Sequence, residues 1–366
     1  MSKRNWMKSN LNWVERAGAL FLMCAATAIT LAAQTLTTLH SFHRSDGGYP
    51  QESLVQANDG NLYGTSWYGG ANYDGTVFKI TPSGTLTTVY SFCSQSGCTD
   101  GEEPEAALVQ ATDGNLYGTT AEGGANGGGT VFKITPSGAL TTLYSFCSHS
   151  GCTEHGFSPG GLVQATDGNF YGTTYFGGAG IGGAGTVFKI TPSGALTTLY
   201  SFCTLSNCPD GDLPYAAMVQ ANDGNLYGTT GDGGANGDAG TVFKITPSGA
   251  LTTLYSFCSQ SGCRDGELPG ELSVQATDGN FYGTTYEGGA NGPYYGTIFK
   301  ITPSGTLTTL YSFCSQSNCT DGEKPGPAMV QDTNGNFYGT TYEGGANGYG
   351  TVFSLSVGLR PFVETQ

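Results

Sequence analysis

Ten of the eleven cysteines fall into five pairs with four residues between partners: Cys93/Cys98, Cys147/Cys152, Cys203/Cys208, Cys258/Cys263 and Cys314/Cys319. That spacing admits three chemistries: half of a zinc site, a redox pair, or a small loop closed by a disulfide, whose Cα atoms must come within ~6 Å. Comparison within the chain separates them. Five segments resemble "SFCSQSGCTDGEEPEAALVQ", whereas the first reads "SFHRSDGGYPQESLVQ", so "HR" replaces the whole block "CSQSGC". Both cysteines vanish together with the loop they bracket, as a local disulfide predicts. Zinc would need four ligands, yet the next pair lies a full repeat away and the chain has only 4 histidines. We therefore expect five local disulfides, formed in an oxidising compartment, each contributing about 2 kcal/mol through loop entropy.

A second set of residues suits ligand binding. Trp67 and Tyr68, Glu122, Tyr175 and Phe176, Asp232, Tyr286 and Glu287, and Tyr342 and Glu343 recur at equivalent places before glycine-rich stretches such as "GGANG". An aromatic ring stacks on the apolar face of a sugar while a neighbouring carboxylate accepts its hydroxyls. The plainer alternative is aromatics packing over adjacent loops. Asp-Gly-x-x-Pro also recurs, at Asp46, Asp100, Asp210, Asp265 and Asp321, while the remaining unit departs, reading "TEHGFSP" from Thr153. The motif reads first as a turn in which Asp bonds nearby backbone, and second as a ring of carboxylates for Ca²⁺ or sugar hydroxyls. No cofactor is required by the sequence, with Ca²⁺ the one candidate. "DTNGN" (332–336) has no bidentate acid at the calcium-loop distance and reads as a hairpin turn. "GFSPG" (156–160) matches a serine-nucleophile pattern without the strand-to-helix elbow. "GIGGAG" (180–185) precedes a strand rather than the helix that a dinucleotide fingerprint needs.

These residues are carried by a repeat. Val-Gln recurs at 55, 109, 163, 219, 274 and 330, giving six units of about 55 residues. Each contains a hairpin around Asp-Gly-Asn, a glycine loop, and a second hairpin around Pro-Ser-Gly, which makes four strands, a to d. No helical period appears beyond the N-terminal segment. Units of four strands point to an all-β fold, a six-bladed β-propeller. The chain ends agree: "QTLTTLHSF" (34–42) is a strand d without its a, b and c, while the last unit stops after strand c. The N-terminal strand is therefore expected to complete the last blade and close the ring, which removes open edges. The propeller spans 34–357, with repeats near 54–107, 108–161, 162–217, 218–272, 273–328 and 329–357 plus 34–42, followed by a tail at 358–366. In such a ring the cysteine loops and glycine loops share one face, where function is expected. The repeated Gln of Val-Gln and Tyr of Tyr-Gly-Thr read as scaffold.

Residues 1–33 begin with Lys3, Arg4 and Lys8, continue into "AGALFLMCAATAITLAA", and end in small residues. This reads as an export signal cut near Ala32 or Ala33, because the apolar run is shorter than the ~20 residues a bilayer span needs. Its four cations and one anion leave the remainder at −18 where the whole chain is −15. Such a charge excludes nucleic acid and acidic membranes as partners. A monomer is expected, exported to the periplasm, cell surface or exterior.

"DGNLYGTT", "GGANGGGTVFKITPSG" and "LTTLYSF" resemble the GloVer tandem repeat of exported bacterial proteins. The resemblance spans nearly all of 34–357 and implies export and repetition, with no assigned activity. "GLRPFVETQ" resembles the linker that in longer relatives leads into an Ig-like domain. The sequence thus reads as a binding or interaction module for polysaccharide or a surface protein. The alternatives are a channel-mouth enzyme of lactonase or glycan-lyase type, with or without Ca²⁺, and a purely structural surface protein.

Overall fold

In the first repeat, strand a is Val55–Gln56, b Leu62–Ser66, c Thr76–Ile80 and d Leu86–Ser91, adjacent in that order and antiparallel throughout. The computed structural model describes residues 38–50, 53–147, 152, 155–273 and 275–359, and all its strands lie within the unit Leu39–Gln366. The expected export signal, 1–33, falls outside the described residues. The same sheet recurs through the fifth repeat, and the sixth holds Glu323–Pro325 and Val330–Gln331 as two pieces of strand a beside Phe337–Glu343 and Thr351–Leu355. Six sheets of four segments result, five of them strands a to d and the sixth a divided strand a with b and c. Residues from all six, including Ser53, Glu105, Ser158, Tyr215, Glu271 and Pro327, line one channel. The fold is a six-bladed β-propeller, as the repeat spacing predicts. Among the described residues the only helical pieces are the 3₁₀ turns Ser96–Cys98 and Ser317–Cys319.

The core lies between blades. Strand c of the second blade buries Val131, Phe132 and Ile134 completely, because a blade is covered on both faces and alternation gives way to an apolar run. Between the first two blades, Tyr63, Val77 and Phe92 of one meet Leu108, Leu116 and Phe132 of the next. The other junctions repeat this, with Tyr117 stacked on Phe170 at 4.1 Å.

Polar side chains satisfy each other where the repeat demands it. The Tyr227 hydroxyl donates to Asp223 of its own Asp-Gly-Asn turn at 2.9 Å, and four other blades repeat the bond. In the sixth, Asn334 takes the place of Asp and donates to Tyr338 at 3.0 Å, so "DTNGN" forms a turn. Gln110, Gln164, Gln220 and Gln275 each accept a backbone N–H from the preceding blade at 2.8–3.0 Å. The repeated Tyr and these four Gln are scaffold, whereas the side-chain amide of Gln331 is buried without a hydrogen-bond partner among the described residues. Strand d carries a register shift that skips Val89, whose carbonyl lies 2.7 Å from where Gly138 of the next blade would place a Cβ. Gly138 also has φ +95°, so the Pro-Ser-Gly turn needs glycine on both counts.

Residues 34–37 of the expected closing strand lie outside the described residues, and 38–42 form no ladder. Leu39 and Phe42 nonetheless meet the first blade as strands d meet their neighbours. The Leu39 carbonyl is 2.7 Å from a Cβ built on Gly84, matching Val89 at Gly138, and Phe42 packs edge-on to Phe78 at 5.1 Å, matching Phe92 on Phe132 at 5.2 Å. Strand Thr351–Leu355 pairs with Phe337–Glu343 and with no other described strand, leaving Val352 80% exposed where the equivalent Val131 is 0% exposed.

Candidate binding site

Five disulfides form, joining Cys93 to Cys98, Cys147 to Cys152, Cys203 to Cys208, Cys258 to Cys263 and Cys314 to Cys319. In four of these loops the Asp of Asp-Gly-x-x-Pro acts as a clamp. Asp265 is fully buried and accepts from the backbone of Ser259 (2.9 Å) and Gln260 (3.0 Å), the Ser259 hydroxyl (2.9 Å) and Tyr255 (2.7 Å). Asp100 and Asp321 repeat this arrangement. Asp210 keeps a reduced form, accepting from Tyr200 at 2.8 Å and the Cys203 N–H at 3.1 Å. These carboxylates are committed to a turn. In the first blade, without cysteines, Asp46 accepts from the His43 backbone at 2.7 Å and meets His40 at 3.1 Å.

The loop ending at Cys152 departs from the other four, where the sequence leaves Asp-Gly-x-x-Pro and reads "TEHGFSP". Elsewhere the second cysteine's carbonyl accepts the N–H of a glycine three residues on, as Cys98 does from Gly101 at 2.8 Å. After Cys152 the chain reads Thr-Glu-His-Gly where the others have a single Asp before Gly, so the added residue moves the glycine one place along. The Cys152 carbonyl accords with this and accepts from Gly156, four residues on, at 3.2 Å. Residues 148–151 and 153–154 of this loop, Glu154 among them, lie outside the described residues.

Each cysteine loop then fixes the glycine loop beside it. The second cysteine's carbonyl, Cys152 included, accepts the N–H of Gly124, Gly178, Gly234, Gly289 or Gly345 at 2.8–3.3 Å, and Arg44 supplies that carbonyl in the first blade at 2.9 Å. Cysteine loops and glycine loops therefore do share a face. Disulfide and carboxylate between them hold still the rim from which side chains reach the channel.

Strand a enters through a kink. The residue before the proline has φ of 53–57° in every blade: Tyr49, Glu103, Ser158, Leu213, Leu268 and Lys324. Left-handed backbone at a non-glycine residue costs ~1 kcal/mol or more. Here a hydrogen bond to the preceding blade holds it, as when Leu213 N–H donates to Ala184 at 3.0 Å. The backbone repeats six times while the side chain changes, so the rim is regular in shape and irregular in chemistry.

That irregularity gathers tyrosines on one side. Tyr175, Leu213, Tyr215, Asp232, Leu268, Tyr286, Pro325, Pro327 and Tyr342, from the third to the sixth blades, line a cup of about 410 Å³. Tyr175, Tyr215 and Pro327 also line the channel of about 810 Å³, so the cup opens into it. Tyr175 and Tyr215 meet edge to face at 6.4 Å, as do Tyr286 and Tyr342 at 5.9 Å. The Tyr215 hydroxyl donates to the Pro269 carbonyl at 3.0 Å, which orients its ring. Burial, then Tyr175, Tyr342, Asp232 and Glu271, push this hydroxyl up to about 12. Tyr215 and Tyr342 remain 39% and 60% exposed, leaving ring surface for a ligand.

Of the ten residues singled out in the sequence, Tyr175, Asp232, Tyr286 and Tyr342 line this cup. Trp67 packs against Tyr49 at 6.2 Å. Tyr68 accepts a bond from Arg44 at 2.8 Å, whose guanidinium also lies 4.4 Å from the Tyr73 ring centre. Phe176 stacks on Phe157 at 5.2 Å. Glu122, Glu287 and Glu343 sit opposite Glu102, Glu267 and Glu323 across strand pairs. Sequence reasoning missed Tyr215, Leu213 and Leu268. The signal was present after and before the proline of Asp-Gly-x-x-Pro, where Tyr215 stands in line with Glu105, Gly160, Gly270 and Gly326.

Acidic groups near the cup are crowded. Asp212 and Asp232 form an antiparallel bridge. Burial, then Asp232 and further acids, raise the Asp212 carboxyl, while burial and Asp238 raise Asp232. Cysteines also cluster with carboxylates, as Cys258 and Cys263 do with Glu267, but those sulfurs are bonded to each other.

A disulfide-braced propeller with a tyrosine cup at its channel mouth is a repeat module built to present one face. The chain belongs to the Gloeobacter/Verrucomicrobia repeat family, which it matches over residues 14–214 and 159–362. No curated protein matches the sequence. Among solved structures it is similar to a candidate 6-phosphogluconolactonase from Bacteroides uniformis, at 15% identity and TM-score 0.50, covering 85% of this chain and 86% of that one. It is also similar to PorZ, an essential surface component of the type-IX secretion system of Porphyromonas gingivalis, at 12% identity and TM-score 0.54, covering 87% of this chain and 40% of PorZ. At these identities the likeness is one of fold. The disulfides place the protein in an oxidising compartment, and among the described residues no helix is long and apolar enough to cross a membrane.

Proposed function

We propose that the protein is an exported carbohydrate-binding propeller whose ligand docks in the tyrosine cup at the channel mouth. The observation that carries this reading is the convergence of Tyr175, Tyr215, Tyr286 and Tyr342, from four different blades, on one cavity with Asp232 at its wall. Exposed tyrosine rings offer flat apolar faces to the C–H surfaces of a sugar, and their hydroxyls and Asp232 take up its hydroxyls. The disulfides support the same reading, since a preorganised rim spares the ordering cost of binding.

Isothermal titration of the full chain with a panel of soluble polysaccharides and oligosaccharides tests it. At least one glycan binds, and Y286A and Y342A each weaken that binding by about tenfold. Binding persists in chelator, because the stacking needs no ion, so a chelator-dependent interaction would replace this reading with a calcium-bridged one. A panel without any binder, or binding untouched by both substitutions, removes the cup as a glycan site.

A further inference from the structure

The cup is more acidic than an uncharged sugar requires. Asp232 lines it, and Asp212 lies directly across the strand pair. Facing like charges on adjacent strands cost stability. Among the described residues no lysine or arginine pairs with either aspartate, and Asp212 Oδ1 is buried without a hydrogen-bond partner. Lys324, 5.7 Å from the Tyr286 ring centre, is itself taken by Glu343 at 2.9 Å. The walls add to the field, because a tyrosine ring presents the negative face of its quadrupole and attracts cations most strongly where water is thinned. An aromatic cavity with an uncompensated acid pair at its edge is complementary to an ammonium group.

Resting on the carbohydrate reading above, we infer that the cup selects sugars bearing a free amine, the ammonium lodged between the tyrosine faces and Asp232. Acetylation of that amine removes the charge and adds bulk, so the acetylated sugar loses both attractions.

The test titrates the full chain with an oligomer of glucosamine and with matching oligomers of N-acetylglucosamine and of glucose. The glucosamine oligomer binds about tenfold tighter than either, and the advantage shrinks as salt is raised. D232N and D212N each reduce the preference to about twofold or less. Both variants remove one of two facing carboxylates, so their melting temperatures match or exceed that of the parent, which separates lost selectivity from lost fold. Equal affinity for the three oligomers, or a preference that survives in both variants, overturns the amine assignment and leaves the glycan site standing. Failure of every oligomer and polysaccharide to bind overturns both.

Discussion

Asp212 and Asp232 exchange backbone hydrogen bonds at 2.9 and 3.0 Å, so two carboxylates leave the same short bridge side by side. Glu102 and Glu122 form the same kind of bridge, Glu267 faces Glu287, and Glu323 faces Glu343. Four blades therefore hold like charges opposite one another on the face that carries the cup. Glycine and Tyr68 replace the pair in the first blade, and Phe157 and Phe176 in the third.

The pairs away from the cup give a stability prediction. E122Q removes repulsion without touching a cup residue and stabilises the fold by about 0.2–1 kcal/mol in denaturant unfolding. A destabilised E122Q would show that its carboxylate is engaged by something other than Glu102.

Dependence on pH has two opposing parts. Burial and neighbouring acids raise Glu102, Asp212 and Glu267 above their ordinary values. Their contribution to stability is complete below the unfolded values, near 3.8 for Asp and 4.5 for Glu, and is lost as pH rises through the folded ones. The turn aspartates run the other way. Burial would raise Asp223, but bonds from Asn225, Tyr227 and Lys244 outweigh it and hold the carboxyl at about 2. That stability is present above 3.8 and lost as pH falls toward 2. Unfolding free energy measured at about pH 7, 5 and 3 should therefore rise and then fall. A steady fall from pH 7 would mean the acid pairs are relieved in solution.

Much of this architecture was legible in the sequence, and the reason lies in local bonds. Tyr227 meets Asp223 four residues away, Asp265 clamps a loop between Cys258 and Cys263, and the Pro-Ser-Gly turn is fixed by its own glycine. Even the shifted glycine after Cys152 follows from one added residue. The cup is non-local. Tyr175 meets Tyr215 only because the ring sets their blades side by side, and Leu213 reaches the cup through a left-handed kink that composition does not announce. Strand alternation could have separated Tyr175 from Phe176, since successive residues point to opposite sides, but which side faces the channel depended on the assembled ring.

The clamp on the cysteine loops is testable by itself. D265A leaves two backbone N–H groups and the hydroxyls of Ser259 and Tyr255 without their carboxylate acceptor, at a cost of about 3 kcal/mol. The double change C258S and C263S costs about 2 kcal/mol. Intact mass before and after reduction should show five bridges, and ten free thiols at these positions in protein isolated without reductant would contradict the loop account.

The tyrosine-to-turn bond is a third element. Y227F removes the donor to Asp223 and costs about 1 kcal/mol. With the Asp223 carboxyl held at about 2, the loss shrinks only as pH falls toward that value, so a loss equal at neutral pH and at about pH 2 would assign the effect to packing instead.

Binding in the cup between the third and sixth blades is tested most directly by a crystal structure with a bound oligosaccharide. A sugar ring should stack on Tyr286 or Tyr342 with a polar group at Asp232. An oligosaccharide seated elsewhere, with the cup holding only solvent, would contradict it.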